Sequence, residues 1–216
     1  MKLADFLIIY SSRLDDANIN HCVLRSHDKL PEENIGNDID FLISFEKVND
    51  AVAIIREIKI VKITGFIRRP YVISVFVNGV EWGENRSSIQ IDFFTSLSWK
   101  GLPFLSVNKV LESSTAIGHA STLHKPAIYD EAINSFFTSY LIGGWIKGRY
   151  QSGVIAAFKG QRVLVSSRLE SIMNKKLAED LIDKVVMDDR KSLLALLPKI
   201  RRQLLIGSII NNPIKS

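Results

Sequence analysis

The stretch HCVLRSHDKLPEENIGNDIDFLIS, residues 21–44, sets two aspartates, Asp38 and Asp40, at the mouth of an otherwise apolar run, Phe41-Leu42-Ile43. Alternate side chains of a strand point the same way, so Asp38 and Asp40 share one face, with Cα atoms roughly 6.5–7 Å apart. Two like charges so close are unfavourable unless a cation sits between them. Hard divalent cations such as Mg²⁺ take carboxylate oxygens, and a two-metal phosphoryl-transfer centre needs a further carboxylate from a neighbouring strand. Asp92, in SSIQIDFFTS (residues 87–96), can supply it. It interrupts the apolar series Ile89, Ile91, Phe93, Phe94, and by the period of two it lies with Gln90 and Phe94. An acid in the middle of such a strand is costly unless paired or metal-bound.

Around these acids the chain has an ordinary globular make-up. Its 216 residues are 46% hydrophobic and 24% charged, enough for a real core in one large domain or two small ones. No apolar run approaches the roughly 20 residues that span a bilayer. The N-terminal MKLADFLIIYSSRLDDANIN reads as an amphipathic helix, since acids follow its short apolar patch and no small-residue cleavage site appears. The expected compartment is therefore the cytoplasm. The single cysteine, Cys22, cannot form an internal disulfide and reads as an inert strand residue. His21, His27, His119 and His124 show no metal-ligand spacing, so no zinc site is expected.

Charge is uneven along the chain. Residues 1–125 carry 14 Lys/Arg against 15 Asp/Glu, a balance of −1, whereas residues 126–216 carry 14 against 8, a balance of +6. A basic second half suits a polyanion such as a triphosphate, a nucleic acid or an anionic membrane surface; a solvated helical face gives the same balance.

Patterning also divides the chain near residue 125. The first part alternates: an N-terminal helix, a short strand at Cys22-Val23-Leu24, a loop with Pro31 and Gly36, and a strand over 39–44. Next come a helix in which Val48, Ala51, Val52 and Ile55 recur at helical spacing, then the β-rich runs KIVKITGFIRR, YVISVFVN and SSIQIDFF. The turn-like GVEWGENR, residues 79–86, separates the last two runs. After Pro126 the pattern becomes helical. Asp130 and Glu131 fall in a first turn, where the helix dipole favours acids, and Ile133, Phe136, Phe137, Tyr140 and Leu141 form a core stripe. Further helices are expected over 161–174, 176–187 and 189–206. The chain thus reads as α+β: a mixed β-sheet domain with flanking helices over 1–125, then a helical subdomain over 126–216.

The residues VLRS, then DIDFLI after eleven intervening positions, then IQIDFF, resemble the nucleotidyltransferase superfamily of the DNA polymerase beta type. That superfamily carries a Gly-Ser or Gly-Gly pair, a loop, an Asp-x-Asp or Asp-x-Glu between apolar residues, and a later carboxylate on an adjacent strand. The longer text, with SLSWKGLPFL, KGRY and LPKIRRQLL, looks like the small nucleotidyltransferase-like proteins associated with bacterial surface-polysaccharide synthesis. The resemblance implies a Mg²⁺- or Mn²⁺-dependent enzyme that moves a nucleotidyl group from an NTP to a hydroxyl or phosphate. The implied acceptor is a sugar, a lipid-linked glycan or a small metabolite. Asp38, Asp40 and Asp92 would be its metal ligands and catalytic acids.

One position departs from the pattern: Arg25 stands where the pair has Gly, with Ser26 in the Ser position. The family uses that small turn to bring backbone N–H groups to the triphosphate, so Arg25 alters the cradle and could instead contact a phosphate through its fork of donors. The resemblance also implies basic residues on a later helix that face the triphosphate, and Lys147 and Arg149 fit, with Tyr150 able to stack on a base or ribose. Two other functions remain open at this level. One is a nucleotidyltransferase toxin or defence protein that modifies RNA or protein, its basic half holding nucleic acid. The other is a non-catalytic module that binds a nucleotide or a partner.

Overall fold

The structure, a computed structural model, describes residues 1–27, 29–32, 38–81, 87–118 and 122–211. The Gly36 turn, residues 82–86 of the 79–86 turn and His119 lie outside these residues. In chain order the elements begin with α1 (Leu3–Asp16), β1 (His21–Val23), β2 (Asp38–Ile43) and α2 (Val48–Glu57). The strands β3 (Lys62–Arg69), β4 (Val72–Asn78) and β5 (Ser88–Phe94) follow. A hairpin of β6 (Leu97–Trp99) and β7 (Leu102–Leu105) precedes α3 (Val107–Glu112) and the short pair β8 (Thr115–Ala116) and β9 (His124–Lys125). Five helices come next: α4 (Ile128–Gly143), α5 (Gly148–Gly160), α6 (Arg162–Glu170), α7 (Lys175–Val186) and α8 (Arg190–Asn211). The class is α+β, with a mixed sheet, flanking helices and a C-terminal helical region, as the sequence predicts. Among the described residues no helix is long and apolar enough to cross a membrane.

The chain divides into two compact units, residues 1–96 with 107–127, and residues 97–106 with 128–216. Patterning alone puts the change of character near residue 125. The structure adds that the hairpin β6–β7 belongs with the helices. Lys100 and Gly101 both have positive φ, 49° and 82°, which gives the tight two-residue loop that joins its strands. The hairpin's buried Phe104 stacks on Phe137 of α4, with centroids 5.3 Å apart.

The first unit is built on a five-stranded sheet of order β1-β2-β5-β4-β3. β2 and β5 run parallel and the other neighbours are antiparallel. On one face Ile39, Phe41, Ile43, Ile73, Val75, Val77, Ile89, Ile91 and Phe93 join a single apolar core with Phe6, Tyr10 and Leu14 of α1 and Ala51, Val52 and Ile55 of α2. Tyr10 meets the edge of Phe41 at 5.7 Å and donates its hydroxyl proton to the Ala51 carbonyl at 3.2 Å, so the buried phenol keeps a partner. The helices thus cover one face, and the period of two sends the residues between the core positions to the other. That other face carries the acids.

In the second unit α4 supplies the centre of the core. Phe136, Phe137 and Tyr140 are fully buried, with Phe158 of α5 beside Phe136. The Tyr140 hydroxyl donates to the Leu193 carbonyl at 2.5 Å and ties α4 to α8. Asn174 caps α7 by accepting from the Leu177 N–H at 3.0 Å.

Candidate metal centre

Strand register decides where the acids meet. In the parallel pair β2–β5, Asp40 stands opposite Asp92 and Asp38 opposite Gln90. Cross-strand partners share a face, and Asp38 lies two residues from Asp40, so all three carboxylates emerge on the same side of the sheet. One oxygen from each lies within 4.8 Å of the other two. The centre is therefore assembled by two adjacent strands, whose other face is locked into the core by Ile39, Phe41, Ile91 and Phe93. A one-residue slip of either strand would bury its acid in that core, so the same apolar pattern that fixes the fold fixes the site.

Three charges at such range demand compensation, and the structure supplies part of it. Arg25, just beyond β1, donates through Nε to Asp40 Oδ2. Its guanidinium also lies 6.0 Å from the centre of the Phe94 ring. Asp40 is only 4% exposed, and its other oxygen, Oδ1, is buried without a hydrogen-bond partner. Burial pushes the Asp40 carboxyl above its ordinary pKa. The Arg25 hydrogen bond and charge oppose that shift, while the charges of Asp38 and Asp92 add to it. Three hard carboxylate donors that converge on one face, one of them with an orphaned buried oxygen, fit a divalent cation such as Mg²⁺ or Mn²⁺.

Ser26, the next residue, has φ of 57°. A left-handed serine costs roughly 1–2 kcal/mol relative to the right-handed region. The backbone thus turns at Ser26, directly after the arginine that meets Asp40.

Two residues that sequence reasoning gave no role belong to the centre. Gln90 donates through Nε2 to both oxygens of Asp92, at 2.9 and 3.0 Å, and fixes that carboxylate's orientation. Ser74 of β4 stands opposite Asp92 on the antiparallel side, fully buried, with its hydroxyl unpartnered. The period of two carried the signal for Gln90. For Ser74 the signal was a lone serine among the apolar residues Val72, Ile73, Val75, Phe76 and Val77, a polar group that an apolar run has no packing reason to contain.

Beyond the C-terminal end of β5 a cavity of about 630 Å³ is lined by Phe45, Arg68, Arg69, Tyr71, Val72 and Thr95, among others. Val72 pairs with Phe94, two residues along from the Ser74–Asp92 pair. Tyr71 holds a left-handed φ of 68° at the β3–β4 turn.

Lys147, Arg149 and Tyr150 lie in the second unit, at the start of α5. The Arg149 guanidinium covers the Tyr150 ring at 4.6 Å, and Tyr150 lines a cavity of about 230 Å³ between α4 and α5. The structure brings together Asp38, Asp40, Asp92 and Arg25, with Ser26 in the adjoining turn; Lys147, Arg149 and Tyr150 belong to the second unit.

Removing Arg25 tests its part in this balance. Arg25→Ala should lower the stability of the metal-free chain by about 1–2 kcal/mol, a modest figure because the arginine is half exposed. Mg²⁺ or Mn²⁺ should then raise the melting temperature of the variant more than that of wild type. Equal metal responses would show that Arg25 and a cation do not share the acids.

No family model matches the chain, and no curated protein is similar to it. Among solved structures it is similar to the crystal structure of JHP933 from Helicobacter pylori, with 12% identity and a TM-score of 0.39 over 99% of this chain and 95% of that one. A likeness that weak carries no functional assignment.

Proposed function

We propose that the chain is a metal-dependent nucleotidyltransferase that joins the nucleotidyl group of an NTP to a hydroxyl or phosphate acceptor, with a sugar, lipid-linked glycan or small metabolite of surface-polysaccharide synthesis as the acceptor class. The observation that carries this reading is the convergence of Asp38, Asp40 and Asp92 on one sheet face, each offering an oxygen within 4.8 Å of the others. Asp38 and Asp40 are the residues that would hold Mg²⁺ or Mn²⁺ against the phosphates, with Asp92 completing the set. When bound, the cation supplies charge neutralisation at the phosphoryl oxygens.

The chain's own groups have distinct tasks. Asp92, held by Gln90, faces the acceptor and takes the proton from its attacking oxygen as that oxygen bonds to the α-phosphorus and pyrophosphate leaves. Arg25 balances Asp40 while the phosphates are absent and turns its fork of donors to them when they arrive. Ser74 offers a hydroxyl beside Asp92 for orienting the acceptor. The cavity at Arg68, Arg69 and Tyr71 offers the remainder of a ligand two exposed guanidiniums and an aromatic surface.

Thermal unfolding with each of the four NTPs, with Mg²⁺ or Mn²⁺ and without, tests the reading, followed by mass spectrometry of candidate acceptors. A ligand present at 100 times its Kd adds about 2.7 kcal/mol of stability, so productive binding should be plain. A chain that no NTP stabilises in the presence of metal is not this enzyme.

A further inference from the structure

A second cluster of metal-ligating side chains lies on the opposite side of the first unit's sheet from the acids. His21 opens β1, pairs with Ile43 and so points with Phe41 toward the helix-covered face, its ring centre 5.9 Å from that of Phe41. His124 opens β9, and its ring meets the His21 ring nearly at right angles, with centres 5.6 Å apart. Asp15, at the end of α1, brings Oδ1 to 3.7 Å from His21 Nδ1. One donor atom from each of Asp15, His21 and His124 lies within 4.8 Å of the other two.

We infer that Asp15, His21 and His124 form a binding site for a borderline transition-metal ion of the Zn²⁺ class. The His21 side chain is completely buried. Its Nδ1 lies 3.1 Å from the Ile19 carbonyl, which can only accept; with the proton on Nδ1 for that contact, the neutral ring offers the Nε2 lone pair to an ion. That Nε2 is buried and has no hydrogen-bond partner. A backbone carbonyl that fixes the tautomer of an imidazole with a free lone pair is the usual support of a metal-bound histidine. Two imidazoles and one carboxylate match the donor set of three-ligand zinc sites that keep a fourth position for water. Asp15 is 41% exposed and His124 partly so, which gives an ion a path from solvent.

The ion would serve as a clamp, since it would tie Asp15 of α1 and His21 of β1 to His124 of β9, more than a hundred residues further along the chain. The nitrogen donors also set it apart from the acid centre, whose oxygens prefer harder cations. The histidine spacing gave no hint of this site; only the packing of β9 beside β1 creates it.

Titration calorimetry of the metal-free full chain with Zn²⁺ alone tests the inference, with Co²⁺ as a spectroscopic stand-in. His21→Ala endangers the fold, so the variants are His124→Ala and Asp15→Asn at the open side of the cluster. Expected are one saturable equivalent of Zn²⁺ in wild type, affinity weakened by about tenfold or more in His124→Ala, and intense visible bands of four-coordinate Co²⁺ that His124→Ala abolishes. An ion held only by the Asp38–Asp40–Asp92 centre would bind His124→Ala and Asp15→Asn as it binds wild type, and that result overturns the site. Absence of saturable Zn²⁺ binding to wild type overturns it as well, and neither outcome bears on nucleotide binding.

Discussion

Replacing Asp38, Asp40 or Asp92 by Asn should each cut metal-dependent nucleotidyl transfer by about a thousandfold, the several kcal/mol that a positioned cation contributes to phosphoryl transfer. The substitution keeps size and shape but removes the charge that holds the ion. Stability should respond quite differently. Each change relieves repulsion among three carboxylates whose oxygens lie within 4.8 Å, so the metal-free variants should melt within about 4 °C of wild type, roughly 1 kcal/mol for a chain of this size. Asp40→Asn is the most sensitive case, because relief of repulsion is offset by a weaker contact with Arg25. If the acids are instead structural, the pattern reverses: the Asn variants melt well below wild type, and wild type gains no stability from metal with any NTP. Turnover and melting measured on the same preparations separate the two, since only ligation lowers the first while sparing the second.

How much of this is legible in the amino-acid sequence follows from the range over which each signal acts. The face that Asp38, Asp40 and Asp92 share depends only on the period of two within each strand, a local property, so the sequence could place the acids on faces. That β2 and β5 lie side by side in a register setting Asp40 against Asp92 is a long-range pairing, reached in the sequence only through the resemblance. The hairpin 97–106 escaped assignment to the helical unit because its burial comes from Phe104 stacking on Phe137, a contact that no local pattern encodes. Arg25 shows a different limit. Its identity was plain and its fork of donors pointed to an anion, but that the anion is Asp40 of the chain itself depends on a side-chain rotamer. The His21–His124 contact joins residues whose spacing has no meaning until β9 lies beside β1.

Asp130 shows how a correct local reading can miss the stronger interaction. Its place in the first turn of α4 suits the helix dipole, a contribution of about 0.3–1 kcal/mol. Its side chain, however, is completely buried and makes a two-pronged ion pair with Arg168 of α6: Nε donates to Oδ1 at 2.8 Å and Nη2 to Oδ2 at 3.1 Å. The guanidinium also lies 5.4 Å from the centre of the Tyr129 ring, and hydrogen bonding to Asp130 raises the Arg168 pKa. Asp130→Ala should therefore destabilise the helical unit by about 3–5 kcal/mol, because it removes the buried carboxylate that takes two hydrogen bonds from Arg168, whose side chain is only 19% exposed. That is a large share of the 5–15 kcal/mol that holds a typical domain together. Asp130→Asn, which keeps one acceptor for Nε, should lose clearly less. The double change Asp130→Leu with Arg168→Met should recover most of the loss, since apolar groups of similar volume replace a desolvated pair at little cost. Urea unfolding of the four proteins measures all three differences. A loss below about 1 kcal/mol in Asp130→Ala would mean that water screens the pair and that the dipole alone accounts for the aspartate.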